Sequence, residues 1–549
     1  MTKGFSVFIH KGQVQIKYYF EHGTYYDSIF IETPEVDIVL EGIVLNKKDL
    51  LKHSSGSFQN YLVKNYLENN WRVFQQLEGE FRGCIWDKQN QKMLVFTNPT
   101  STQRVFYTHI NDKFFADSDL VRLSKTMKEN GISLTPDMIS LYQLLAIGNL
   151  LEDRTPIENV YKISDSCFLE IDCESNTMSE KEYFNVSEIG YYSKTKKNAV
   201  NDIHEIFTEA VKWEYEKDNE LNTSHLAFLS GGLDSRMAMF YAIQNKFDIG
   251  CALCFSHSGY LDEKISREIA SDYKLPYEFI PLDDGSFLKK IDQLTTISEG
   301  TSVYSGGIHV QYALDNLSFR DFAIFHGGQI GDGILGGFNS EPRAKSPTAY
   351  KIIVNQNFLP KIQSDLKKVM SNYEREEIFL LKNLAYNRTV LGTQVLQQKA
   401  YHLSPFMTKD FITLSLSLPE KWKYKHMFYF EWMAKHCKEA AKYTWERTLM
   451  KPDAHWKVKF GDKFLKNGYL FLYNKILKSP EKASMYPYQY YFDSTPDIQN
   501  YYQHYFNENI GRLESYPELR EEVTNLFSQK TFYHKCQAVN ILSIFKLYF

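Results

Sequence analysis

Along the first ~120 residues, apolar and polar positions alternate in short runs separated by turn residues, the pattern of half-buried strands. "FSVFIHKGQVQIKYYF" (5–20) predicts a hairpin turning at Lys11-Gly12. "FRGCIWDKQNQKMLVF" (81–96) predicts a second, turning through 88–90, and "VFYTHINDKFFAD" (105–117) a third. Residues 135–152 read as a helix, followed by a loop and two short strands near 159–173. A polar, Ser/Lys/Glu-rich stretch at 175–198 reads as a boundary, so that residues 1–190 and 191–549 are expected to form separate domains. Beyond it the pattern changes. Strand-like 225–229, 249–256, 277–282 and 321–326 interleave with helix-like 234–245 and 262–274 and further helical stretches, which predicts a parallel sheet with helices on both faces. Residues 350–450 read as mainly helical. The segment 464–549 is rich in Tyr and Phe and is expected to act as core or as cover over a pocket.

Composition narrows the function class. A chain of 549 residues exceeds one ordinary core. Its 63 basic and 67 acidic side chains give a net charge of −4, which removes the electrostatic case for nucleic acid or an anionic membrane as main partner. The longest apolar runs, such as "LLAIGNLL" (144–151), fall far short of a bilayer span, and "MTKGFSVFIHKGQVQ" carries charges where a signal peptide is apolar. A soluble, cytoplasmic protein is expected. Seven scattered cysteines fit reduced thiols, and "CALC" (251–254) reads as two buried strand residues because no second pair completes a zinc site.

The chemistry concentrates at "LAFLSGGLDSRMAM" (226–239), where an apolar strand runs into Ser230-Gly231-Gly232-Leu233-Asp234-Ser235. Ligands settle at the carboxyl end of a parallel strand where a helix begins, because the first helical N–H groups lack partners and the dipole is positive there. Two glycines let the backbone approach phosphate oxygens, and Ser230 and Ser235 add hydroxyl donors. Asp234 would repel a bare anion, so a Mg²⁺ ion bridging carboxylate and phosphate resolves the conflict. A tight turn with an Asp or Ser cap is the competing reading of the same residues. The stretch is neither a Walker A loop nor a G-x-G-x-x-G turn. Arg236, just beyond, reads equally as a phosphate contact and as a surface helix residue.

This loop resembles the pyrophosphate loop of the ATP-pyrophosphatase enzymes. Within that group the chain resembles the asparagine synthetase family, with its β-lactam synthetase and lasso-peptide cyclase relatives, to about residue 465. "CFSHSGYLDEKISREIA" (254–270) resembles the family's second strand, loop and acidic-start helix, which implies that the backbone of 255–257, including Phe255 and His257, meets adenine. "FHGGQIGDGILGGF" (325–338) resembles the family's Ser-Gly-Glu-Gly-Ala-Asp-Glu-Leu-Phe-Gly-Gly-Tyr. The resemblance makes Asp332 a second magnesium carboxylate facing Asp234, with Gly327 and Gly328 letting the loop approach the nucleotide. "HWKVKFGDKF" (455–464) resembles the late lysine loop and puts Lys457 on the catalytic lysine, with Lys459 as the alternative register. The cofactors implied are ATP and Mg²⁺. The fold implied is α/β: a glutaminase-like α+β sandwich, then a parallel-sheet synthetase domain of the adenine-nucleotide α-hydrolase type.

The resemblance also exposes losses. "LEGIVLNKKDL" (40–50), "LEGEFRGCIWDKQNQKML" (77–94) and "TNPTSTQRVFYT" (97–108) resemble the family's glutaminase domain, whose nucleophile is an N-terminal cysteine. Here position 2 is Thr2, and the family's Asn-Gly-Glu is Glu41-Gly42-Ile43. An anion at an oxyanion site destabilises the intermediate, so a scaffold without glutaminase activity is expected. In the synthetase half Gln329 replaces a Glu, Gly333 replaces another, and Pro-Phe-Leu-Asp becomes Pro405-Phe406-Met407-Thr408. Gln329 cannot act as a general base. The expected activity is an amide-forming ligase that adenylates a carboxylate and passes it to an amine, with a lasso-type peptide macrolactam as preferred sub-class. The partners are then a small-molecule or peptide substrate, with a precursor peptide and a maturation protease in that sub-class, and neither nucleic acid nor membrane. Asparagine synthesis from ammonia, another ATP-pyrophosphatase reaction such as sulfur insertion, and an inactive scaffold are the alternatives.

Overall fold

A computed structural model describes residues 3–20, 26–52, 56–339 and 344–549. Its first part is two antiparallel sheets. The hairpin strands Phe5–His10 and Gln13–Tyr18 pair across the Lys11-Gly12 turn, and Phe5–His10 also pairs with Lys113–Asp117. With Phe106–Ile110 and the two-residue strand Tyr161–Lys162 they make a five-stranded sheet. Six strands make the second sheet, in the order Thr177–Glu182, Cys167–Asp172, Lys92–Thr97, Gly79–Asp87, Val36–Val44, Ile29–Glu32. The inward side chains of both sheets, among them Val7, Ile9, Val39, Cys84 and Val95, form one buried core. Period-two alternation produces this arrangement, because it turns every second residue of each strand toward the facing sheet.

Two expectations for this part change. Within 135–152 only Met138–Ala146 is helical; Gly148, at φ 92°, turns the chain out of it. Inside the polar stretch 175–198 lies the edge strand Thr177–Glu182, whose residues read as linker because most of them are exposed and polar.

The second part is built on five parallel strands in the order Tyr277–Pro281, Cys251–Ser256, Leu226–Phe228, Ile324–His326, Tyr401–Leu403. Its two faces are buried in different cores: Leu226, Leu253 and Phe325 on one side, Ala227, Leu229 and Ala252 on the other. Both faces are therefore dry, which explains the near-continuous apolar runs of the sequence. Tyr401–Leu403 interrupts the segment that reads as helical; three residues are too few to register a period. All seven cysteines are free and buried, Cys251 and Cys254 on one strand. From Leu226–Phe228 the chain crosses first to one side, to Cys251–Ser256, and later to the other, to Ile324–His326. This reversal opens a crevice at the carboxyl ends of the strands, where open parallel sheets bind ligands.

Of the aromatic-rich C-terminal segment, residues 488–549 pack largely as core, whereas Phe464 and Phe471 are exposed. Tyr491, Tyr502, Phe532 and Tyr548 are buried with Leu141, Leu145 and Ile147 of the first part and with Leu288 and Ile291 beside the parallel sheet. Gln537 donates to the Leu145 carbonyl at 2.7 Å and Lys128 to that of Tyr548 at 2.6 Å. Among the described residues no helix is long and apolar enough to cross a membrane.

Candidate active site

A cavity of about 380 Å³ occupies the crevice at the end of Leu226–Phe228. Ser230, Gly232, Leu233, Asp234 and Ser235 line one wall, and Gly328, Gln329 and Asp332 another. Phe228, Phe255, Val310 and Leu396 make an apolar end, and Trp445, Glu446 and Arg447 add a side unsuspected from sequence.

The glycine loop is braced before any ligand arrives. Gly231 N–H donates to Asp262 Oδ1 at 2.7 Å, so the acidic start of the Leu261–Asp272 helix holds the turn. Gly232 N–H donates to Ser230 Oγ at 3.1 Å, and the Ser230 and Ser235 hydroxyls are 3.0 Å apart. Arg236 is neither a phosphate contact nor a surface residue. It is fully buried, and its guanidinium donates to the carbonyls of Gly231, Ala440, Tyr443 and Thr444 at 2.8–3.2 Å. It ties the loop to the 440–447 segment, whose Glu446 N–H donates to Gly231 O at 3.2 Å.

The helix Asp234–Gln244 begins without a side-chain cap, which leaves its first N–H groups without a side-chain acceptor, and its opening residues Leu233, Asp234 and Ser235 line the cavity. Asp234 does not cap the helix. One carboxylate oxygen accepts Asp332 N–H at 2.7 Å and the other the Tyr429 hydroxyl at 2.8 Å. Burial, and then the Asp332 charge, push its carboxyl well above the usual range. Asp332 is half-exposed, 3.9 Å from His426 Nε2. Burial of Glu446, reinforced by Asp262, pushes that carboxyl up to about 7, and its Oε2 has no partner among the described residues. The Asp234 carboxylate, which accepts from the Asp332 backbone at an uncapped helix start, the Asp332 side chain on the same cavity and the two hydroxyls are a donor set of hard oxygens that fits a Mg²⁺-bound polyphosphate.

Other sequence-singled residues lie differently. Phe255 lines the cavity; His257 does not. Its N–H donates to Met485 O at 2.7 Å, and its Nδ1 meets Asp283 at 2.9 Å and the Tyr491 hydroxyl at 3.2 Å, so the C-terminal segment occupies it. Gly327 and Gly328 are required by packing between loops. A Cβ on Gly327 would sit 2.0 Å from His402 Nε2, and one on Gly328 2.3 Å from the Asp234 backbone. Lys457, on His455–Phe460, is outside the cavity wall and pairs with Asp453 at 2.8 Å. Arg447 is the cation on the wall, 3.8 Å from Asp462, and Lys466 Nζ donates to Glu446 O at 3.1 Å. Nothing in the one-dimensional pattern marks Tyr429, Glu446 or Arg447, since each reaches the site from a segment that reads as ordinary helix and loop. Thr2 lies outside the described residues.

No protein-family model matches the chain. Among curated proteins it is similar to asparagine synthetase [glutamine-hydrolyzing] 1 of Bacillus subtilis (strain 168), 20% identical over 398 residues, covering 68% of this chain. It is also similar to asparagine synthetase [glutamine-hydrolyzing] 2 of the same organism, 21% identical over 266 residues, 45% of this chain. The matches span 59% and 34% of those relatives' own lengths. Among solved structures, the allosteric regulatory enzyme of purine biosynthesis overlaps with a TM-score of 0.22 at 11% identity, over 45% of this chain and 59% of that one. A glutamine phosphoribosylpyrophosphate amidotransferase from B. subtilis, complexed with ADP and GMP, overlaps with a TM-score of 0.22 at 10% identity, over 60% and 70%. Overlap at that level bears on neither fold nor activity. The two sequence matches, on a chain carrying Ser230-Gly231-Gly232-Leu233-Asp234-Ser235 at the end of a parallel strand, make it similar to asparagine synthetases and support a place in that family.

Proposed function

We propose that the chain is an ATP-dependent carbon–nitrogen ligase. A substrate carboxylate oxygen attacks the α-phosphorus of ATP and pyrophosphate leaves with the bridging electron pair. An amine then attacks the acyl carbon, forming an amide, AMP and a released proton. The observation that carries this reading is the Asp234 carboxylate accepting from the Asp332 backbone at an uncapped helix start, with both residues on the cavity wall. These two carboxylates would hold Mg²⁺, which when bound supplies positive charge to the polyphosphate. Helical N–H groups and the Ser230 and Ser235 hydroxyls bind the leaving pyrophosphate. Phe228, Phe255 and Val310 offer the apolar surface that a nucleobase needs. Arg447 faces the cavity, and Lys457 is the cation that the family resemblance assigns to the α-phosphate charge.

Residues 1–190 are read as a glutaminase-like unit that has lost its chemistry, residues 191–549 as the synthetase unit, with 464–549 its extension. Glu41, where the resemblance puts an oxyanion donor, is buried against Arg82 Nε at 2.7 Å. That ion pair supports an amine brought by the substrate rather than ammonia from glutamine. A lasso-type peptide macrolactam is the preferred sub-class, with a precursor peptide and a maturation protease as its partners. The names of the two curated relatives favour a second reading, asparagine formation from aspartate and ammonia.

Pyrophosphate exchange into ATP across candidate carboxylates tests the proposal, with aspartate plus ammonium separating the second reading. Asp234→Ala is expected to abolish exchange, and Lys457→Ala and Arg447→Ala each to lower it. Absence of magnesium-dependent ATP binding by calorimetry overturns the ligase reading.

A further inference from the structure

Gln329 stands in the cavity where the resemblance leads one to expect a carboxylate, and the residues behind it decide which end of its amide faces the ligand. Thr393, on Leu391–Leu396, and His402, on Tyr401–Leu403, are both buried there. Thr393 Oγ1 is 2.9 Å from His402 Nδ1 and 2.7 Å from Gln329 Oε1. The direction of this chain follows from its far end. His402 Nε2 is buried, has no partner among the described residues, and abuts Gly327 so closely that a Cβ there would come within 2.0 Å of it. A hydrogen on Nε2 would be a buried donor with no room for an acceptor, which folded proteins avoid more strictly than a bare lone pair. The ring hydrogen therefore sits on Nδ1 and donates to Thr393 Oγ1, and the threonine donates its own hydrogen to Gln329 Oε1. Burial holds His402 uncharged, its pKa lowered to about 3, in agreement with that single-hydrogen ring.

With its Oε1 accepting from Thr393, Gln329 has Nε2–H₂ as its donor toward the cavity that it lines. Its backbone is pinned as well. Ser404 Oγ donates to Gln329 O at 3.0 Å, and the next residue, Ile330, is held at φ 66°, a conformation that a β-branched residue adopts only when its surroundings impose it. We propose that Gln329 is a specificity-determining residue that selects a hydrogen-bond acceptor: the carboxylate of the acyl donor lies against its amide hydrogens, and a protonated amine is refused that position. Two donors facing each other leave both unpaired, the kind of mismatch that rejects a substrate most strongly. The amine must then enter from another side. This inference rests on the ligase reading for its substrate, while the hydrogen order stands independently of it.

The test uses the full-length protein in two measurements. Nitrogen-15 spectra of histidine-labelled chain, with the His402 signals assigned by their loss in His402→Phe, are expected to show the hydrogen on Nδ1; a hydrogen on Nε2 overturns the proposal. Crystals soaked separately in acetate and in methylammonium are expected to seat acetate, and not methylammonium, on Gln329 Nε2, and Gln329→Glu is expected to reverse that preference. Methylammonium on the wild-type amide, or neither ion within hydrogen-bond reach of it, overturns the proposal. Calorimetry with Mg·ATP on the same preparations keeps the two ideas separate: loss of nucleotide binding sinks the ligase reading and leaves ring and ion placement to be judged alone.

Discussion

At the residue scale the site is held together against its own electrostatics. Asp234 is partly buried beside Asp332, and Glu446 adds a second repulsion. Asp332→Asn is expected to stabilise the ligand-free protein by on the order of 1 kcal/mol, a small value because water screens the half-exposed Asp332. The same change should remove magnesium-dependent stabilisation by ATP; thermal melts with and without Mg·ATP read both effects. Glu446 makes a pH-dependent prediction. Its folded-state value of about 7 lies above the unfolded one of about 4.3. The folded chain thus holds that proton more tightly, and ionisation costs stability as the pH rises from about 4.3, with the cost complete above about 7. Glu446→Gln is therefore expected to melt higher than wild type at pH 8 and alike near pH 4. A difference that is constant across pH excludes this origin.

At the element scale, close approach between loops explains the glycines better than ligand binding does. Gly328→Ala would drive a Cβ into the Asp234 backbone, which cannot rotate away as a side chain can. A loss of at least about 2 kcal/mol is expected, together with loss of Mg·ATP binding, because the two carboxylate-bearing loops must separate. Denaturant unfolding and calorimetry measure the two effects. The same geometry shows what the sequence could reveal. The three N-terminal hairpins and the strand–loop–helix at 226–244 were legible because periods of two and of 3.6 persist for several residues there. Tyr401–Leu403 and the edge strand Thr177–Glu182 were not, the first too short and the second mostly exposed and polar. Asp234, Ser230 and Ser235 were legible as a constellation because they are neighbours in the chain. Tyr429, Glu446 and Arg447 join them only through folding across some 200 residues, and no local pattern encodes that meeting. His257 misled for the same reason: its partners Met485 and Tyr491 lie in a segment with no motif to mark it.

At the scale of the whole molecule, one apolar core joins residues from the antiparallel part, the parallel sheet and the C-terminal helices. Removing Phe532–Tyr548 would uncover the helices Met138–Ala146 and Ile291–Ser298 against which it packs. A chain ending at residue 531 is expected to lose its cooperative melting transition and to aggregate, while the full chain melts in a single calorimetric step. Two separate transitions in the full chain would show that the shared core contributes little.

That terminal helix also sets the order of events during synthesis. Gln537 and its acceptor Leu145 are 392 residues apart, so the early half of this core leaves the ribosome long before its last partner exists. At translation speeds of roughly 5–20 residues per second, the nascent chain waits tens of seconds with that surface open. The newborn protein is thus expected to be a client for chaperones until Phe532–Tyr548 docks.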